Sequence, residues 1–173
     1  GTAIITAKQA RQEVLVWTNS SLYSLQYLGG DTVWGSQLVG DNLSIISPNS
    51  VAYVAGVAFW MGTDTFYSYE GGVLPLPSAL RRFVFNDFNY LQALQVVAGS
   101  NEAFNEVWWF YCSASASSID RYVVYNYVDK IWYYGTLSRT AWLDTGTRQY
   151  PLAATSSSNL VNHEAGVDDN ETA

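Results

Sequence analysis

The side chains most often used in catalysis are scarce in this chain. His163 is its single histidine and Cys112 its single cysteine. A histidine-rich metal site and a disulfide within the chain are therefore both excluded. Cys112 ends an apolar run, where a cysteine is usually a small buried residue. Because no base is evident beside it, we expect no cysteine nucleophile.

Carboxylates are more numerous, and two of them facing each other across a cleft could cleave a glycosidic bond if one had a raised pKa. The candidates for such a pair are Asp64, Glu70, Asp87, Glu106, Asp120 and Asp144. Most of them lie beside turn or strand-end signals, where Asp helps the backbone to turn. Further acidic and amide oxygens that could meet Ca²⁺ occur near the end of the chain, at Asp168, Asp169, Asn170 and Glu171. They lack the spacing of an EF-hand loop, so a solvated tail is the simpler interpretation.

No sequence motif changes this result, because the chain has no GxSxG, Walker, GxGxxG or sialidase box. We therefore predict no catalytic residue, no cofactor and no metal site. The formal net charge of −7 and only eight Lys and Arg residues argue against a surface that grips nucleic acid. No apolar run approaches the roughly 20 residues of a membrane helix, so we expect no membrane contact.

The chain is instead rich in aromatic residues, at 16% of its length. They are densest in three runs, Val107–Tyr111, Tyr122–Tyr127 and Ile131–Tyr134. Val, Tyr, Trp and Phe suit packed strands, and the short gaps between these runs predict a three-stranded antiparallel meander. The runs do not alternate apolar with polar residues, which indicates a sheet that is covered on both faces.

A weak repeat extends this pattern along the chain. Glu13–Gln26 and Val57–Gly72 both read as aromatic hairpins, and the repeat aligns Trp17, Trp60 and Trp109. A degenerate fourth copy, Leu152–Gly166, places His163 at the position of Tyr69, which indicates an ordinary strand residue. The copies cover approximately residues 1–40, 50–76, 95–138 and 140–166 of a single β module.

Four antiparallel strands in each 40–50 residues, with both faces buried, are typical of a β-propeller blade. We therefore predict an all-β fold, a propeller-like array of three to four blades that could form an incomplete ring. The alternative is a β-sandwich with two aromatic hairpins. Residues 77–94 form an insert, in which Ser78 as N-cap and the residues after it predict a short helix near 78–85 that stops at Asn86-Asp87. Another turn is expected near Tyr90–Leu94.

Most aromatic residues fall inside the apolar strands and are expected in the core. Trp34 and Trp142 fall outside the densest strands, and Trp142 is close to Arg139. Trp and Arg are enriched at the centres of protein interfaces. We therefore predict subunit contacts at Trp34, Arg139 and Trp142. We expect Trp109→Ala to unfold the chain and Trp142→Ala to leave it folded but unable to assemble.

The third copy also carries a resemblance. The run NEVWWFYCSASASSIDRYVVYNYVDKIWYYGTLSRTAWLDTG is similar to a segment of large virion structural proteins of short-tailed bacteriophages. The segments AKQARQEVLVWTNSSLYSLQY and ISPNSVAYVAGVAFWMGTDTFYSY resemble the same proteins, in the same order. This class comprises tail hub, nozzle and packaged-DNA stabilisation proteins with β-propeller domains, most of them several times longer. The resemblance implies that the chain is an internal or C-terminal part of a longer protein, and it supplies no catalytic residues.

The resemblance leads to a functional expectation. It implies a non-enzymatic component of the virion tail, assembled in the host cytoplasm, that forms part of a ring or nozzle with its own copies and with other tail or portal-side proteins. DNA would be passing cargo, because an acidic wall repels phosphate and lets a duplex slide. The alternative is a tail domain that binds or cleaves host-surface carbohydrate.

Overall fold

The computed structural model describes residues 2–31 and 33–166, and within them the chain folds into four antiparallel sheets. Sheet 1 contains β1 (Ile4–Gln9), β2 (Glu13–Thr18), β3 (Ser21–Tyr27) and β4 (Trp34–Asp41). Sheet 2 contains β5 (Val51–Val54), β6 (Val57–Met61), β7 (Phe66–Tyr69) and β8 (Val73–Leu76). Sheet 3 contains β9 (Val97–Asn101), β10 (Glu106–Tyr111), β11 (Arg121–Asn126) and β12 (Ile131–Thr136). Sheet 4 contains β13 (Ala141–Leu143), β14 (Leu152–Ala154) and β15 (Leu160–Asn162).

In each sheet the strands are adjacent in chain order, so every sheet is a simple meander. The prediction of an all-β chain is confirmed, and the predicted three-stranded meander corresponds to β10, β11 and β12. Strand β4 was not predicted. Its sequence, WGSQLVGD, contains two glycines and several polar residues, and both features are unfavourable in strands.

The insert between sheets 2 and 3 contains a short helix, α1 (Arg81–Asn86), and a 3₁₀ segment (Tyr90–Gln95). The predicted helix therefore exists, but it begins three residues later than Ser78. The N-cap is Leu80, and the hydroxyl of Ser78 accepts a hydrogen bond from the Leu80 backbone N–H instead of capping the first turn. The buried Val84 anchors the helix in the same core that joins sheets 2 and 3.

The sheets pack face against face in chain order. Between sheets 1 and 2 the core contains Leu15, Trp17 and Leu22 packed on Ala58 and Trp60. A larger core joins sheets 2 and 3, with members that include Phe59, Met61, Phe66, Val107, Trp109 and Tyr125. Sheets 3 and 4 meet through Phe110 and Cys112, with Trp108 and Trp142 packed against them. The expectation that the sheet of the three aromatic runs is covered on both faces is therefore confirmed for sheet 3.

The uninterrupted apolar run in β10 follows from this packing. Trp109 faces sheet 2, where its ring centroid lies 5.0 Å from that of Phe66. The adjacent Trp108 faces the other way, and its indole stacks on that of Trp142, 5.6 Å away and within 14° of parallel. Successive side chains of a strand alternate between its two faces. An inner strand with a core on each side therefore needs no polar position.

The aligned tryptophans are all buried, but they are not equivalent in the structure. Trp60 and Trp109 face the preceding sheet, whereas Trp17 faces the following one and meets Trp60 edge-on, with ring centroids 5.4 Å apart. A shift of one residue moves a strand side chain to the opposite face. The position of Trp17 therefore corresponds to those of Phe59 and Met61, which also face the following sheet.

Candidate functional site

The first strands of all four sheets come together around one cavity of about 400 Å³. Its wall is built from β1, β5, β9 and β13, together with the loop before β5 and Thr140. A backbone hydrogen bond of 2.7 Å from the N–H of Ala98 to the carbonyl of Asn49 fixes the loop of sheet 2 against β9. Residues of the first strand of each sheet therefore share the lining of one cavity.

The lining of this cavity is polar but almost uncharged. Lys8 is the one charged side chain among the described lining residues, and the other polar side chains are those of Thr6, Asn49 and Thr140. No carboxylate, histidine or cysteine is among the described residues that line the cavity, so these residues include no carboxylate or imidazole base to activate a nucleophile. Its volume suits at most a small molecule.

The carboxylates considered as catalytic candidates are dispersed, and most of those with a partner serve turns and inter-sheet bonds. Asp64 pairs with Arg81 at 2.9 Å, and Asp120 accepts hydrogen bonds from the backbone N–H and the hydroxyl of Ser113. Asp144 accepts from the hydroxyl of Ser100 at 2.8 Å. In the described part of the chain, no group of three or more His, Cys, Asp or Glu residues is arranged to hold a metal ion. The acidic residues 168–171 lie outside the described residues.

Glu106 is the carboxylate with the most unusual surroundings. It is 9% exposed and faces sheet 4, where one oxygen accepts the indole N–H of Trp108 at 2.8 Å and the other accepts the hydroxyl of Tyr133. Burial raises the pKa of Glu106, the bond from Trp108 opposes that rise, and the charge of Glu164 adds to it. This burial was not predictable from the sequence, because Glu106 stands at the start of a strand.

Glu106 is not placed for glycosidase chemistry. Its two oxygens are occupied by the side chains of Trp108 and Tyr133, and it does not line the cavity. Glu164 is joined to the same region through a 3.3 Å hydrogen bond from the amide of the buried Asn101. This hydrogen bond connects the residues that follow β15 to β9 of sheet 3.

Cys112 is 1% exposed and packs with Phe110 and Ile119. Burial raises the pKa of its thiol, and the charge of Asp120 adds to the rise. A raised pKa keeps the sulfur protonated at neutral pH, and the thiol is a poor nucleophile. This agrees with the structural role expected from the sequence.

The three predicted contact residues do not share one surface. Trp34 is 55% exposed on the outermost strand of sheet 1, where it meets Tyr27 edge-on with ring centroids 5.8 Å apart. Leu28, Val33 and Leu38 are exposed around it. Trp34 is therefore well placed for contact with another molecule.

Arg139 and Trp142 lie within the junction of sheets 3 and 4. Arg139 is 8% exposed, and its Nε–H donates to Nε2 of His163 at 2.7 Å. Trp142 is held between the rings of Trp108 and His163, and its indole N–H donates to the carbonyl of Ser100 at 2.6 Å. Both residues therefore make contacts inside the chain, so Trp142→Ala would remove packing between sheets 3 and 4. The role of Trp34, Arg139 and Trp142 as subunit contacts stays a prediction.

The position of Trp142 depends on Gly99, a glycine in strand β9. A Cβ atom added to Gly99 would lie 2.2 Å from Cδ1 and 2.4 Å from Cγ of Trp142. Contacts this short do not occur, so only glycine allows the indole to lie against β9. Sheet 4 is attached to sheet 3 through this close approach.

Comparison with known proteins identified no relative of this chain. No family model matches the chain, and no curated protein matches it. None of the helices in the described residues has the length and apolar character required to cross a membrane.

Proposed function

We propose that this chain is a propeller-type β module that serves a non-enzymatic, structural role in the tail of a short-tailed bacteriophage. The observation that carries the architecture is the arrangement of four meander sheets, packed face to face, whose first strands surround one cavity. Propeller blades share this arrangement, with the first strand of each blade next to the central channel. The virion assignment is supported by the resemblance of the three aromatic segments.

The surroundings of the cavity support a structural role. The described lining has no acid–base pair, and Glu106, whose pKa is raised by burial, is hydrogen-bonded to Trp108 and Tyr133 of its own sheet. The aromatic residues serve mainly to join one sheet to the next. These features account for the composition of the chain without a catalytic site.

The size of the cavity bears on how DNA would pass. A cavity of about 400 Å³ is of the size that holds a small ligand. A passage for duplex DNA must therefore be formed between several copies or with other tail and portal-side proteins. The net charge of −7 suits the wall of such a passage, because it repels phosphate.

The proposal is tested by locating the protein. Antibodies raised against the purified chain should label one end of the tail of purified virions in electron microscopy. In gel-shift experiments at low salt the purified chain should not retain DNA, because clustered Lys and Arg are needed for that. Virions that contain none of the protein, or tight DNA binding, would refute the proposed role.

The alternative is a tail domain that binds or cleaves host-surface carbohydrate. It is favoured by the exposed Tyr27 and Trp34, since aromatic faces at the surface can stack on sugars. Their rings are inclined at 71° to each other and so do not form one flat platform. Binding on a glycan array that is lost in Trp34→Ala would support this alternative over the structural role.

A further inference from the structure

The cavity lined by the first strands contains a positive charge without a negative one beside it. Lys8 is the single charged side chain among its described lining residues. Within the described part of the chain the ammonium of Lys8 makes no ion pair and no hydrogen bond. A cleft whose charges have one sign concentrates ions of the opposite sign. This cavity therefore favours an anion, although the chain as a whole has a net charge of −7.

The inner edge of sheet 1 adds a backbone donor to the cavity wall. Along an antiparallel pair, every second residue points its N–H and C=O at the neighbouring strand, and the residues between point theirs away. The hydrogen bond from the N–H of Ala10 to the carbonyl of Glu13 sets this alternation for β1 and β2. Ala7 is one of the residues that point away from β2, and it lines the cavity.

Sheet 2 contributes the same groups from β5. The hydrogen bond from the N–H of Met61 to the carbonyl of Ser50 sets the alternation here, so the next residue, Val51, points its N–H and C=O away from β6. Val51 also lines the cavity. The N–H groups of Ala7 and Val51 have no hydrogen-bond partner among the described residues. Both donors are therefore available to a bound molecule.

The other polar groups of the wall indicate what kind of molecule carries the anionic group. Thr6 and Lys8 are two residues apart in β1, so their side chains share one face of the strand. The hydroxyl of Thr6, the amide of Asn49 and the carbonyls of Ala7 and Val51 include both donors and acceptors. Such a mixture suits hydroxyl groups, which also donate and accept. The volume of about 400 Å³ limits the molecule to a small one.

We propose that this cavity binds a small hydroxylated molecule that carries one oxyanion group, a carboxylate or a phosphate. Lys8 pairs with the oxyanion, and the backbone groups of Ala7 and Val51 bond to its oxygens and hydroxyls. The inference goes beyond the proposed structural role and does not depend on it, because a protein in any location could hold such a molecule.

Three sugars with the same ring test the proposal. D-glucose is neutral, D-glucuronate carries a carboxylate at the same carbon, and D-glucose 6-phosphate carries a phosphate there. Each is titrated into the isotope-labelled chain, and the backbone amide signals are followed by NMR. The shifts give the dissociation constant and also locate the bound sugar.

Wild type should bind at least one of the two charged sugars, with the amide signals of Ala7 and Val51 among those that move most. Glucose should bind about tenfold more weakly or not at all, because it lacks the partner of Lys8. Lys8→Gln should weaken binding of the charged sugar by about tenfold or more. The control Lys130→Gln removes the same charge between β11 and β12, outside the cavity lining, and should bind as wild type does.

The charged sugar that binds identifies the oxyanion as a carboxylate or a phosphate, and binding of both supports the shared chemistry. Failure of both to bind would overturn the inference, as would glucose binding as tightly as they do. Equal affinity in Lys8→Gln and wild type would also overturn it, and so would amide shifts confined to residues away from the cavity. None of these results bears on whether the protein is present in virions, which antibody labelling tests separately.

Discussion

Replacing Gly99 by alanine tests how sheet 4 is held, because the change adds one methyl group at the closest approach of two sheets. Gly99 lies in strand β9 with no positive φ, so the alanine backbone itself is not strained. In the interior of a strand, Gly→Ala should otherwise stabilise by about 0.5–1 kcal/mol. Any loss of stability must therefore come from the clash with Trp142.

The size of that loss can be bounded from the geometry. The added Cβ would lie 2.2–2.8 Å from three atoms of Trp142, including its own Cβ at 2.8 Å, so a rotation of the indole alone does not relieve the clash. Forcing a methyl group into a packed core costs about 1–3 kcal/mol. If the indole leaves its site, the cost approaches the roughly 3–5 kcal/mol of a Trp→Ala change. We expect Gly99→Ala to lower the free energy of unfolding by about 2–4 kcal/mol.

The assay is urea denaturation followed by circular dichroism, with Gly72→Ala as the matched control. Gly72 has no positive φ, and nothing lies within 4 Å of the position of its added Cβ. Its substitution should change stability by less than about 0.5 kcal/mol. In the double variant Gly99→Ala with Trp142→Ala, the second change removes the clash, so the combined loss should be smaller than the sum. Unchanged stability in Gly99→Ala, or strict additivity in the double variant, would refute the described docking of sheet 4.

Two further predictions concern buried ionisable groups. A raised pKa means that the folded state favours neutral Glu106, so the stability it provides is present below its ordinary pKa of 4.5 and is lost as pH rises through the folded value. The variant Glu106→Gln keeps an acceptor for the indole N–H of Trp108. Its melting temperature should therefore exceed that of wild type at pH 7 and equal it at pH 4. Equal melting temperatures of the two proteins at both pH values would contradict this prediction. Burial raises the pKa of Tyr111 to about 12 from 10, and its hydroxyl has no hydrogen-bond partner among the described residues. About 3 kcal/mol of stability should thus be lost between pH 10 and 12. Tyr111→Phe should move this alkaline unfolding transition to higher pH without loss of stability at pH 7. An alkaline transition at the same pH in the variant and in wild type would contradict the prediction.

The aromatic runs were sufficient to predict an all-β chain and the meander of sheet 3. Apolar residues at consecutive positions predicted strands with two buried faces, and β10 has that arrangement. The sequence could not show which face each tryptophan occupies, because an error of one residue in the alignment of two hairpins moves a strand side chain to the opposite face. Only the packing of Trp17 on sheet 2 settles its position.

The junction of sheets 3 and 4 was the least predictable part. Trp142 falls outside the densest strands and close to Arg139, which suggested a subunit contact, yet three rings and a backbone carbonyl surround it. The signal that could have located it is Gly99, a glycine inside a predicted strand, which often marks a close approach. The cavity was also beyond prediction, because its lining comes from four segments far apart in the chain.

The face-to-face packing of successive sheets is tested most directly by comparing two double-mutant cycles that share Phe66→Leu. Combined with Trp109→Leu, it should give a coupling energy of about 0.5–3 kcal/mol, because the two rings are in contact across sheets 2 and 3. Combined with Trp108→Leu, it should be additive within about 0.5 kcal/mol, because the indole of Trp108 is on the opposite face of β10. Equal coupling of Phe66 to both tryptophans would contradict the stacked arrangement.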